Sequence, residues 1–162
     1  MQTYVKEFRS ILDRATPALL ALSDDRSTTH PAPGKWSPRE VIGHLIDSAS
    51  NNHQRFVRAR FQNDLVLAGY DQDAWVALQK YQDEPWSDLV TLWRAFNVHL
   101  AHVMESIPAS VRQREHGRHN LHEINWKPVP ADKPATLDDL MEDYVGHLKH
   151  HLRQILGSSW NI

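Results

Sequence analysis

The sequence predicts an all-α protein, a four-helix bundle, on three observations. Four segments repeat their apolar residues at steps of three and four. Helix-start signals stand where two of those segments begin. No stretch alternates apolar and polar residues as a half-buried strand would. Amphipathic helices without a sheet must bury their stripes against one another, and four of them can close a bundle core. At 162 residues the chain has the size of one domain, covering 1–162, and can bury a core without staples.

The first helix is expected over Thr3–Leu22, where Tyr4, Phe8, Ile11, Leu12, Ala15, Leu19 and Leu22 share a face. Pro17 inside it predicts a kink or a break, because proline lacks the N–H that the helix ladder uses. A loop with Pro31, Pro33 and Gly34 follows. The second helix has the clearest start: Ser37 as N-cap, Pro38 in the first helical position and Glu40 completing a capping box. It is expected to run to Gln62. The third spans Pro85 to Ile107, with Leu89, Leu92, Trp93, Phe96, Leu100, Val103 and Ile107 on one face. The fourth starts at a Thr136 cap with Asp138 and Asp139 in its first turn, which suits the positive helix end, and stops near Gly157. Two connections, Asn63–Glu84 and Pro108–Ala135, exceed the usual loop length. The first is expected to hold a short helix over Ala74–Tyr81.

Composition narrows the function. The formal net charge of −2 leaves no electrostatic footprint for nucleic acid or an anionic membrane. With no cysteine there is no disulfide, thiolate metal site or cysteine nucleophile, which fits a reducing, cytoplasmic location. The stretch MQTYVKEFRS shows no basic region followed by an apolar run, so no signal peptide is expected. No segment has the roughly 18 uncharged apolar residues of a membrane helix.

The candidate chemistry lies in the histidines, eleven in all. His147 and His151 in GHLKHH are four residues apart, so their imidazoles lie on one side of a helix, one above the other. Such a pair can take adjacent positions on one metal ion, and imidazole suits zinc, nickel, copper and iron. A helical wheel puts both at the edge of the apolar arc of the fourth helix, with His150 and Asp143 on the solvent side. On the second helix His44 lies beside the arc and shares a polar stripe with Ser48, Asn51 and Arg55. His44 could complete a facial set with open positions left over. For His53 and His99 the ordinary expectation is a border histidine bonded to a carbonyl or to water. For His30, His116, His119 and His122, in loops, it is solvation. Tyr70, Trp75, Trp86 and Trp93 are expected as core or lid packing, and the polar stripe can equally be a solvated face.

Four pieces, KWSPREVIGHLIDSASNNHQRF, GYDQDAWV, LWRAFNVHL and TLDDLMEDYVGHLKHHLRQI, resemble the DinB superfamily and its YfiT-like metal-dependent branch. They follow the family's order and cover most of the chain beyond Lys35. The resemblance implies long crossing connections in the bundle, often a homodimer, and a metal triad at His44, His147 and His151. It implies a divalent ion, nickel or zinc before iron or manganese, with water in the other positions. Several members are S-transferases or isomerases that use a low-molecular-weight thiol, and many others are labelled only as metal-dependent hydrolases. Asn51 and Arg55, continuing the His44 stripe, are then expected to line the substrate cavity, with Arg55 meeting an anionic group. Tyr70 and Trp75 are expected to cover its opening. Three functions stay open: transfer of a thiol to a small electrophile, hydrolysis of amides or esters, and a non-catalytic binding or stress-response bundle with a structural or vestigial metal.

Overall fold

Eight α-helices and one 3-10 turn make up the computed structural model, which describes residues 3–158 and 160. In chain order the helices are α1 (Thr3–Leu20), α2 (Asp24–Thr28), α3 (Pro38–Ala59), α4 (Gln72–Gln79), α5 (Trp86–Ser106), α6 (Ala109–Arg112), α7 (Leu121–Ile124) and α8 (Leu137–Leu156), with the 3-10 turn at Tyr81–Asp83 between α4 and α5. Among the described residues there is no strand, and two isolated bridges tie loop to loop.

The starts follow the capping chemistry. Ser37 accepts the Glu40 N–H while Glu40 accepts the Ser37 N–H, a closed capping box, and Thr136 and Asp139 repeat the arrangement on α8. The ends differ from expectation. Pro17 does not break α1; its own carbonyl accepts the Ala21 N–H at 3.1 Å, and the helix stops at Leu20 rather than Leu22. The second long helix ends at Ala59 rather than Gln62, where Phe61 N–H bonds back three residues to the Arg58 carbonyl at 2.9 Å and tightens the last turn. The short helix begins earlier than Ala74, because Asp71 caps it by accepting the Ala74 N–H. It ends where Lys80 turns left-handed, at φ 52°.

The four long helices form a ring. α1 packs on α5 and α8, and α3 packs on the same two. Helices α1 and α3 therefore face across the bundle, as do α5 and α8. The crossing connections are the one from α1 to α3 and the one from α5 to α8. The long stretch from α3 to α5 joins neighbours. The core between them is apolar, with Phe8 and Phe56 both set edge-on to Tyr144 at 5.8 and 5.9 Å between ring centroids. Tyr144 hydroxyl donates to Asn97, and Trp86 indole N–H donates to the Leu19 carbonyl at 2.8 Å.

The α5-to-α8 connection is docked, and this corrects the solvated reading of two loop histidines. His116 and His119 are buried. His116 Nδ1 donates to the Asn63 carbonyl at 3.1 Å, and His119 Nε2 donates to the Lys133 carbonyl at 2.8 Å while its Nδ1 accepts the Leu121 N–H at 3.2 Å. Asn120 clamps Leu67 through both ends of its amide, at 2.9 and 2.8 Å. These bonds lash the two long connections together and give their backbone the partners that burial demands. His30 stays exposed and bonds the Lys35 carbonyl at 2.8 Å. The rings of His53 and His99 meet at 5.3 Å between centroids, tilted by 45°, on the outer side of α3 and α5.

Candidate metal centre

Packing of α3 on α8 brings His44 to His147 and His151. His44 is fully buried and the other two are half-buried. All three turn the same nitrogen inward: His44 Nε2 lies 3.1 Å from His147 Nε2, which lies 3.0 Å from His151 Nε2. One ring nitrogen carries either one hydrogen or one lone pair, so His147 Nε2 cannot make two good hydrogen bonds at once. Two imidazole nitrogens held at about 2.0–2.1 Å from one ion stand about 3 Å apart when they meet it at a right angle. Both spacings therefore suit neighbouring donors on one ion better than a hydrogen-bonded chain, and the ligand atoms of all three histidines lie within 4.8 Å of one another.

Electrostatics agrees with the geometry. Burial pushes all three imidazoles down from the usual histidine range: His44 to about 3 and His147 to about 2, with repulsion from the other triad rings adding to it, and His151 to about 4, against the Gln154 bond and with repulsion from His150. They are neutral at physiological pH, as metal ligands must be. The sign for the metal-free protein follows. Histidines that hold protons more weakly folded than unfolded give a stability that is complete above about pH 6.5 and lost as pH falls toward the folded values. Thermal melts of metal-free protein are expected to drop between pH 7 and pH 5, and a His44, His147, His151 triple leucine variant is expected to drop less over the same range.

Two cavities adjoin the triad. One, of about 300 Å³, is lined by His44 and His147 together with Ser48, Asn52, Arg55, Tyr70, Asn125, Trp126, Asp143 and Tyr144. The other, of about 710 Å³, is lined by His151, Trp36, Lys35, Val41, Gln154 and Ile155 among others. Gln72, on the first turn of α4, lines both.

The other sequence candidates divide. Arg55 lies in the first cavity wall, 8% exposed, and donates only to neutral oxygens: the Ala68 carbonyl at 3.2 and 2.8 Å and Asn52 Oδ1 at 3.4 Å. Burial lowers its pKa, and no carboxylate among the described residues pairs with it. Tyr70 lines the same cavity, its hydroxyl pushed up to about 12, chiefly by burial. Trp75 lies against Tyr70 at 5.0 Å between rings and is more than a third exposed, outside the lining. Asn51 is not in this cavity. It bonds back to the Asp47 carbonyl at 2.9 Å and faces a separate small groove, while its neighbour Asn52 takes the lining position. Helix α3 thus turns residue 52 rather than 51 toward α8.

Several residues at the site gave no signal of their own in the sequence. The Trp36 ring packs on His44 at 5.0 Å. Asp143, expected on a solvated face, lines the first cavity and accepts the N–H groups of Trp126 and Lys127 at 3.0 and 2.8 Å. Burial raises its pKa against those two bonds. Asp47 is buried one turn beyond His44 and accepts from Tyr81 hydroxyl and Gln79 amide, both at 2.7 Å. Burial raises its pKa as well. The signal that could have found Asp143 is the proline-rich connection, whose backbone needed an acceptor where it meets α8.

The fold and the site define a class: a four-helix bundle with crossing connections and a three-histidine cluster on two adjacent helices. The chain belongs to the DinB superfamily, whose model matches residues 7–155. A relative from Oceanobacillus iheyensis is 23% identical over 155 residues, covering 96% of this chain and 87% of its own length. YfiT from Bacillus subtilis is 21% identical over 152 residues, covering 94% of this chain and 80% of its own. Both are named provisionally as metal-dependent hydrolases. The solved structure of YfiT, described as an unusual four-helix bundle topology, superposes with a TM-score of 0.76 at 20% identity, over 94% of this chain and 81% of that one. No helix of the described residues is long and apolar enough to cross a membrane.

Proposed function

We propose that this protein is a metal-dependent enzyme that transfers a low-molecular-weight thiol to a small electrophile, with His44, His147 and His151 holding a divalent ion, nickel or zinc first. One observation carries the choice of transfer: the triad is reached from two cavities, one touching His44 and His147 and the other touching His151, with Gln72 on both. A hydrolase needs room for one organic substrate and water, whereas transfer needs room for two organic reactants. A bound divalent ion supplies Lewis acidity that lowers the pKa of a coordinated thiol or water toward neutrality. The chain supplies the rest. The three neutral imidazoles leave the ion its full charge. Trp36 walls the larger cavity with an apolar ring. Arg55, buried without a carboxylate, offers a planar fork to an acidic group of the reactant in the smaller one. With no cysteine in the chain, the thiol comes from outside.

The test is a screen of metal-loaded protein with common thiols and monochlorobimane. Turnover that needs both thiol and metal supports transfer. Hydrolysis of an amide or ester panel without any thiol would favour the second reading, toward which the names of the relatives point. Arg55→Met is expected to raise KM for a carboxylate-bearing electrophile about ten- to a hundredfold, the worth of a charged hydrogen bond, and to leave a neutral electrophile unaffected. Equal KM changes for both would remove the assigned role. The same reading includes a two-fold homodimer, since Phe61 and Leu78 stand 84% and 79% exposed. A single species at the monomer mass of 18.7 kDa in sedimentation would refute it.

A further inference from the structure

We infer that Gln154 is a positioning residue for the metal centre: it fixes His151 in the one tautomer that can bind a metal through Nε2. This rests on the metal reading of the triad. His151 Nδ1 lies 2.8 Å from Gln154 Oε1. A carbonyl oxygen only accepts, so Nδ1 carries the hydrogen and Nε2 presents its lone pair to His147 and the shared point. A flipped amide would reverse this. It would turn an N–H toward Nδ1, drive the hydrogen to Nε2 and close the ligand position.

The same amide holds a second imidazole. Gln154 Nε2 lies 3.0 Å from His150 Nε2. The amide nitrogen only donates, so His150 must accept there and keep its hydrogen on Nδ1. The His150 ring is held in turn by Trp126, 5.1 Å away between centroids and 31° from parallel. Trp126 belongs to the α5-to-α8 connection, is pinned by its N–H to Asp143 Oδ2 at 3.0 Å, and lines the smaller cavity. His44 offers a contrast: its Nδ1 is buried and has no partner, so no neighbour sets its tautomer. Outer partners that orient a ligating imidazole are worth about 10–100-fold in metal affinity. Gln154 is exposed, so the lower end applies.

The experiment is Co(II) titration followed by its visible absorption, on wild type, Gln154→Leu, Gln154→Glu and His147→Ala. Leucine keeps the helix and removes both contacts. About a tenfold loss of Co(II) affinity and an altered absorption band are expected, with an unchanged melting temperature for the metal-free protein. Glutamate keeps the acceptor and is expected to bind Co(II) as tightly as wild type or tighter. Wild type that binds while Gln154→Leu binds equally well, with the same band, would overturn the role of Gln154 alone. So would a glutamate variant as weak as the leucine one. Wild type no better than His147→Ala would overturn the metal reading and this inference with it.

Discussion

Replacing His147 or His151 with alanine is expected to strip the protein of its metal and abolish metal-dependent turnover. Each ring supplies one of three inward nitrogens, and His147 Nε2 touches both of the others, at 3.1 and 3.0 Å. Two remaining imidazoles cannot hold the ion in one facial arrangement. The affinity should fall by more than about a hundredfold, beyond what the loss of an outer partner costs. His150→Ala is the control on the same helix. Its ring lies against Trp126 and Gln154 rather than in the triad, so full metal stoichiometry is expected. Elemental analysis after dialysis reads both results. Equal metal in His147→Ala and wild type would show that any bound ion sits elsewhere. The fold should survive, because the metal-free triad is already neutral and none of its rings belongs to the apolar core.

Much of this architecture was legible, for identifiable reasons. Capping signals are local chemistry, so Ser37–Glu40 and Thr136 located two helix starts directly. Helical periodicity gave the buried faces of all four long helices. What the chain could not reveal locally was which helices touch. The ring order, with α1 facing α3, depends on connections whose course is set by long-range bonds such as those of Asn120 to Leu67. The burial of His116 and His119 has the same cause: each looks like a loop histidine until a distant carbonyl accepts its N–H. The short helices α2, α6 and α7 were absent from the sequence reading because four or five residues cannot show a period.

The site was legible at coarse grain only. An i, i+4 histidine pair and a polar stripe are wheel arguments, and a wheel resolves faces no better than one residue. That margin separates Asn51 from Asn52. Residues that act through a neighbour, such as Trp36 on His44 or Gln154 on His151, have no periodic signature at all. Asp47 and Asp143 both fall outside the apolar arcs of their helices on a wheel. Asp47 is buried under α4 and the 3-10 turn, and Asp143 is half-buried under the α5-to-α8 connection, cover that a wheel for an isolated helix does not contain.

The residue before His44 carries the second large expected effect. Gly43→Ala should destabilise the protein, although alanine is the better helix former by about 1 kcal/mol. A Cβ on Gly43 would stand 2.0 Å from Tyr81 Cδ2 and 2.3 Å from its Cγ, far inside any real contact. The ring cannot simply swing away, since Tyr81 is 3% exposed and its hydroxyl donates to Asp47 at 2.7 Å. Overpacking costs about 1–3 kcal/mol, and breaking a buried bond to a carboxyl group adds about as much. The net is about 2–4 kcal/mol, or a fall of about 5–15 °C in Tm for a domain of this size. A melt of the double variant separates the causes. With Tyr81→Ala in place the clash is gone, so Gly43→Ala should turn neutral or slightly stabilising, a large departure from additivity. A higher Tm for the single variant would mean that helix propensity wins and Tyr81 is not seated on Gly43. The contact matters beyond stability, because Tyr81 anchors the end of the segment whose Gln72 lines both cavities. Glycine at 43 lets that segment lie directly on α3 beside His44.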